Sequence, residues 1–321
     1  MTAYDAVALT DHLADSPYGQ AVGAEKFVDY AKYYGLIFTD VDTRVEHQMY
    51  CLDLHLGAEQ ERIVVQHFIP PNAKSYAMFL HGYFDHVGLF RHVIQQLLRR
   101  GVAVVSYDQI GHGLSSGTPA VIGDFDQYVA ATRLVYAHAR QCFPQVQEEQ
   151  WHWIGQSMGS AVVMEYLQQR DLPNRPVGEI ILFAPLVRPY AWWINRWLFR
   201  AASSFLEGRP RVITENANNP KFIARQRVDP LAPQTMSMLW ITAMVTWYRR
   251  FIQYPVSTLA PKVIQGDADR TVDWRYGLKT FQRRYPNHVV FVVPAGRHHL
   301  ANESDQVQVS MWSFLDQHCQ W

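Results

Sequence analysis

A serine hydroxyl is a poor nucleophile at neutral pH. It becomes one when a base lies within hydrogen-bond reach and an acid orients that base. One serine of the chain is set for such use, in Gly155-Gln156-Ser157-Met158-Gly159. The apolar run Trp151-His152-Trp153-Ile154 precedes it, and a helical pattern through Leu167 follows. A strand entering a tight turn and then a helix puts the hydroxyl on an exposed elbow, and glycine on either side lets strand and helix pass closely. Alone, Gly-x-Ser-x-Gly is also an ordinary turn. The rest of the chain decides between the two.

On this strand–elbow–helix plan an acid and then a histidine should follow the serine in chain order. Downstream, a short β-like segment leads into Gly266-Asp267-Ala268-Asp269-Arg270-Thr271-Val272-Asp273. After the apolar run Val289–Val293 comes Ala295-Gly296-Arg297-His298-His299. Both loops follow strands, so both reach the carboxyl edge of a parallel sheet, where sites of such sheets assemble. Asp273 stands before a helix and is expected to cap it. Spacing does not choose between Asp267 and Asp269, or between His298 and His299. Two backbone N–H groups should face the oxyanion: Met158, just after the serine, and Tyr83, in the loop His81-Gly82-Tyr83-Phe84-Asp85-His86. His81 is expected to brace that loop. His81, His86 and His112 form no HExxH or comparable ligand pattern, so no metal and no cofactor are expected.

The elements that must carry these residues alternate. From about residue 76, apolar strands at Tyr76–Leu80, Val102–Asp108, Trp151–Ile154, Glu179–Phe183 and Val289–Val293 are separated by helical patterns. The helices include Gly88–Arg100, Asp124–Cys142, Tyr276–Arg284 and Ser304–His318. That rhythm predicts an α/β fold, a mostly parallel central sheet with helices on both faces. Two earlier strands, near Thr43–Leu54 and Arg62–Ile69, suit an antiparallel edge. A helix over Ala24–Tyr34 would present Phe27, Tyr30, Ala31 and Tyr34 on one face. The expected division is an N-terminal extension (1–45), a core (46–186 and 258–321) and an inserted helical cap (187–257). The cap interval breaks the strand–helix rhythm and holds five tryptophans, Trp192, Trp193, Trp197, Trp240 and Trp247.

The 321 residues, 48% of them hydrophobic, suffice for a large core. Lys plus Arg equal Asp plus Glu at 29 each, which gives no basic surface for nucleic acid. The three cysteines, Cys51, Cys142 and Cys319, are far apart and suggest neither a disulfide framework nor a metal cluster. The first 21 residues lack the basic start and apolar core of a secretory signal, and no apolar run spans a bilayer. A cytoplasmic protein, soluble or peripheral to a membrane, is expected.

Taken together, His81-Gly-x-x-x-His86, Asp108-x-x-Gly-His-Gly-x-Ser115, Gly155-x-Ser-x-Gly159, Gly266-x-x-Asp269 and Arg297-His298 resemble the α/β-hydrolase fold. More narrowly, they are similar to the monoacylglycerol lipase and lysophospholipase branch, which is grouped with the serine aminopeptidases. The similarity spans about residues 60–315. It implies Ser157 as nucleophile, Asp269 as acid and His298 as base, with Asp108 and His112 structural. Two positions depart from the branch: Gln156 stands where histidine is common, and His299 replaces the usual Glu.

The expected reaction is hydrolysis of a carboxylic ester, of a small-molecule or lipid-like substrate, through an acyl-enzyme. The aromatic and methionine content of the cap suits an acyl chain, with Trp193, Met238, Trp240 and Trp247 as substrate-binding candidates and Trp192, Met236 and Met244 beside them. Arg196, Arg200, Arg209, Arg211, Arg249 and Arg250 could meet phosphate head groups or an anionic membrane face, or form an ordinary solvated helix face. Two other readings stand beside this one. An aminopeptidase of the proline iminopeptidase type needs a cap carboxylate for the substrate amine, with Glu207 and Glu215 available. A non-catalytic binding protein has no need of a complete Ser, Asp and His set.

Overall fold

The computed structural model describes residues 4–169, 177–192 and 208–321. Eight strands form one sheet: β1 (Glu46–Leu56), β2 (Glu59–Ile69), β3 (Ser75–Leu80), β4 (Val102–Tyr107), β5 (Trp151–Gln156), β6 (Ile180–Phe183), β9 (Lys262–Gly266) and β10 (Val289–Val293). Their order is β1-β2-β4-β3-β5-β6-β9-β10. β1 pairs antiparallel with β2, and β2 with β4; from β4 to β10 every pair is parallel. Strands β3, β4 and β5 are buried along their whole length, so they read as unbroken apolar runs and not as alternation. β1 and β2, at the sheet margin, are buried over only part of their length, with Glu46, His55, Glu59 and Gln60 exposed.

Helices cover both faces. α1 (Ala6–Ala14) and α2 (Ala24–Tyr34) join α3 (Arg91–Arg99) and α9 (Asp305–His318) on one side. α2 buries Phe27, Tyr30, Ala31 and Tyr34, the face its periodicity predicts, and stops at Gly35, whose φ of 69° only glycine adopts without strain. Residues 6–34 are therefore built into this core layer through Leu9, Leu13, Phe27, Tyr30 and Tyr34. On the other side, α4 (Phe125–Cys142) and α5 (Met158–Gln169) pack with α8 (Trp274–Arg284) around Phe125, Trp151, Trp153 and Phe281. The predicted helix at Gly88–Arg100 opens with a 3-10 turn, Val87–Phe90, before α3.

Between β6 and β9 the chain leaves the sheet. Its described part carries β7 (Gly208–Pro210), α6 (Pro220–Arg227), β8 (Thr235–Ser237) and α7 (Met238–Phe251). β7 and β8 pair antiparallel in a two-stranded sheet. Ser237 caps α7 by accepting from the Leu239 and Trp240 N–H groups. Trp193, Trp197, Arg196, Arg200 and Glu207 lie outside the described residues.

Candidate active site

Ser157 sits between β5 and α5 with φ of 53°, the left-handed region. Its N–H donates to Phe183 O at 2.9 Å, and its own carbonyl accepts from Leu186 N at 3.1 Å. The end of β6 thus holds the elbow in a conformation that costs a non-glycine residue about 1–2 kcal/mol. The two glycines are steric necessities. A Cβ on Gly155 would stand 2.5 Å from Ser160 N, and one on Gly159 would collide with Leu80 O and His81 O.

Three strand ends converge there. His298 Nε2 lies 2.9 Å from Ser157 Oγ, and His298 Nδ1 lies 2.8 Å from Asp269 Oδ2. With the Nδ1 proton on the carboxylate side, Nε2 is free to accept the serine proton. Asp269 Oδ1 accepts from the Thr271 and Val272 N–H groups, at 2.7 and 3.1 Å. Burial pushes the Asp269 carboxyl up, but His298 and these N–H donors outweigh it and hold the carboxyl below its ordinary value. All three residues are buried.

The alternatives left open by spacing go elsewhere. Asp267 is exposed and accepts from Ala295 N at 2.7 Å. Asp273 caps α8 through Tyr276 N and pairs with Arg188 at 2.6 Å. His299 lies between the rings of Phe90 and Phe222, with Nε2 3.2 Å from Asp85 Oδ2. Burial raises the Asp85 carboxyl, yet the charge and hydrogen bond of His299 bring it down to about 2.

Two glutamines support the site, and neither role was read from the sequence. Gln265 donates to Asp269 Oδ2 at 3.1 Å. Gln156 donates to the His298 carbonyl at 3.0 Å and accepts from Ala301 N at 3.4 Å, tying the elbow to the base loop. The departure from histidine at position 156 therefore supplies a bidentate amide strap. An amide beside a nucleophile is the one signal that could have flagged it.

Tyr83 follows Gly82, where an added Cβ would come within 3.4 Å of Ser157 Cβ. Neither the Tyr83 nor the Met158 N–H donates to a protein acceptor among the described residues. Met158 opens α5, so its N–H adds the positive end of a helix dipole. His81 braces the loop: Nδ1 donates to Gly82 O at 2.8 Å and Nε2 accepts from Gln109 N at 2.9 Å. Burial lowers the His81 imidazole to about 3, which keeps it neutral for both bonds. Asp108 accepts from Val87 N and Leu114 N, and His112 donates to Ile110 O, both in structural settings.

A cavity of about 250 Å³ opens on Ser157 and His298. Its apolar wall includes Leu186, Met236, Trp240, Ile241, Met244 and Val272. Trp240, a predicted substrate-binding residue, is there and stacks on Tyr83 at 3.8 Å. Met238 and Trp247 do not line the cavity. Met238, the first residue of α7, packs in the core. Trp247 is one helical turn beyond Met244 and past the cavity, stacked between Phe125 and Phe251 with Nε1 donating to Glu165. The aromatic content of the interval marked it as apolar but could not say what it meets. Met236 and Met244 occupy the cavity wall in their stead. Trp193 lies outside the described residues.

Comparison with known proteins agrees with this architecture. Residues 71–305 match the family model described as serine aminopeptidase, S33. A monoglyceride lipase homolog of monkeypox virus is 25% identical over 256 residues, 76% of this chain and 88% of that protein. A monoacylglycerol lipase of Mycolicibacterium smegmatis is 25% identical over 242 residues, 72% of this chain and 81% of that protein. Among solved structures, a soluble variant of monoglyceride lipase from Saccharomyces cerevisiae, in complex with a substrate analog, superposes with a TM-score of 0.71 at 16% identity. It covers 88% of this chain and 98% of that one. The fold is thus the α/β-hydrolase fold, and the chain belongs to the serine aminopeptidase S33 family.

Proposed function

We propose that this protein hydrolyses carboxylic esters of lipid-like substrates, of the lysophospholipid or monoacylglycerol kind. The observation that carries the reading is the unbroken Ser157–His298–Asp269 chain, at 2.9 and 2.8 Å, opening on an apolar cavity. His298 takes the Ser157 proton as Oγ attacks the ester carbonyl. The Tyr83 and Met158 N–H groups receive the oxyanion, and Asp269 stabilises the imidazolium. His298 then protonates the leaving alcohol. In the second half it deprotonates water, which attacks the acyl-enzyme and releases the acid and Ser157.

In this reading residues 187–257 act as a cap, with α7 supplying the acyl wall through Trp240, Ile241 and Met244. Arg209 and Arg249 are exposed and suit contact with an anionic membrane face. No described helix is long and apolar enough to cross a membrane. The aminopeptidase reading is less well supported. Glu215 is exposed and pairs with Arg297, and Asp85, the carboxylate at the cavity, faces His299.

The test is turnover of p-nitrophenyl esters of short and long acyl chains, beside fluorophosphonate labelling and the Ser157→Ala variant. Turnover and labelling in the unaltered protein, both lost in Ser157→Ala, are expected. Labelling that survives the substitution would refute Ser157 as nucleophile. Faster cleavage of aminoacyl arylamides than of esters would favour the peptidase.

A further inference from the structure

Arg211, Asn216 and Gln226 also line the cavity beside Ser157. Gln226 is only 3% exposed, and its Oε1 has no partner among the described residues. Asn216 Oδ1 is also buried and unpartnered. Leaving such a group unsatisfied costs about 1–3 kcal/mol, so each is an acceptor waiting for a donor.

Arg211 adds charge. Its guanidinium lies 4.7 Å over the Phe84 ring, and its one side-chain hydrogen bond among the described residues is a 3.5 Å contact to Pro233 O. No described carboxylate lies within ion-pairing distance of it. The nearby carboxylates are engaged elsewhere: Asp85 with His299, and Asp229 with His86 and Tyr34. Burial lowers the Arg211 guanidinium, and these two negative charges partly offset that; arginine stays charged. A half-buried cation without a bonded anion, in the same cavity as the nucleophile, marks a place for a planar or tetrahedral oxyanion.

We propose that Arg211 forms a head-group subsite for esters whose alcohol portion carries an anionic group. The anion is phosphate or carboxylate; the apolar wall takes the acyl chain. This rests on the reading that Ser157 cleaves esters in this cavity, and it names their chemical class. A neutral monoacylglycerol fills the acyl wall but leaves Arg211 unpaired.

The experiment compares kcat/KM for three esters of one acyl length that share a 2-hydroxyl: 1-decanoylglycerol, 1-decanoylglycerol 3-phosphate and 3-decanoyloxy-2-hydroxypropanoate. The unaltered protein should prefer an anionic ester over the neutral one by about tenfold or more, the scale of a charge-assisted pair. Which of the two anions leads identifies the source. In Arg211→Gln the anionic-to-neutral ratio should fall toward one, and Arg211→Lys should keep part of it. Equal kcat/KM for all three esters in the unaltered protein overturns the subsite, and so does a ratio unchanged in a folded Arg211→Gln. If no ester is turned over, the hydrolase reading falls. The subsite is then judged by calorimetry of decyl phosphate against 1-O-decylglycerol. Arg211-dependent preference for the phosphate upholds it, and equal affinity overturns it.

Discussion

The Trp247 indole N–H donates to Glu165 Oε2 at 3.0 Å, joining α7 to the helix that begins at the nucleophile elbow. Glu165 is fully buried on α5 and also accepts from Tyr254 at 2.7 Å and Gln169 at 2.9 Å, with Arg250 Nε 3.1 Å away. A buried carboxylate is tolerable because every oxygen is answered. Trp247→Phe keeps the stack but leaves Oε2 short of a donor. It should destabilise the protein by about 1–3 kcal/mol in urea unfolding. In a double-mutant cycle with Glu165→Gln, a coupling above about 0.5 kcal/mol is expected; additive losses would show that the bond ties nothing together.

Asp269→Asn should lower kcat for p-nitrophenyl esters by roughly 10⁴, since an amide cannot hold the same imidazole tautomer. Asp267→Asn, at an exposed loop carboxylate, should stay within a few-fold. Asp273→Asn should act on stability through the α8 cap and the Arg188 pair, by about 1 kcal/mol. Equal rate losses in all three would refute Asp269 as the acid.

Gln156 is a positioning residue, so its loss should separate the two kinetic constants. In Gln156→Leu the His298 loop loses its strap, and kcat should fall about tenfold or more while KM for p-nitrophenyl butyrate moves little. Gln156→Glu, which keeps an acceptor for Ala301 N but no donor for His298 O, should recover only part of the rate. A change in KM alone would point to the pocket instead.

His86 and Asp229 meet at 3.2 Å, fully buried, joining the loop of Tyr83 to the segment between α6 and β8. Burial lowers the His86 imidazole, but Asp229, helped by the charges of Asp108 and Asp85, raises it above its ordinary value. Burial raises the Asp229 carboxyl, but His86, the Leu231 N–H and the Tyr34 hydroxyl lower it. The His86 contribution is complete below about pH 6.5 and is lost as pH rises through the higher folded value. The Asp229 contribution is complete above about pH 4 and is lost as pH falls through the lower folded value. The Tm deficit of Asp229→Asn should therefore be largest between about pH 4 and 6.5 and shrink at higher pH. A deficit that widens steadily above pH 7 would contradict the pairing.

Much of this was legible locally. Strands β3 and β5 announce themselves as apolar runs, and the face of α2 follows from its period because the helix rests on one flat layer. The serine elbow and the loops at Asp269 and His298 follow from strand ends. What escaped was the choice of partner across the chain. His86 and Asp229 are 143 residues apart, and nothing near either shows the other. Gln265 and Gln156 look like ordinary buried amides until the loops fold over them. Trp247 reads as pocket because aromatic content reports an apolar residue, not its neighbour. Arg211 reads as one of several surface arginines, and only the folded cavity separates it from Arg249.

The left-handed backbone at Ser157 sets stability against reactivity. Glycine adopts that φ freely and alanine does not, so Ser157→Gly should unfold about 1 kcal/mol later than Ser157→Ala, though both lack the hydroxyl. Urea unfolding of the two variants reads the difference, and equal midpoints would mean the turn is relaxed. The residue asked to react is then also one held in a strained backbone conformation. Selection for robustness alone would replace it, and only turnover keeps it.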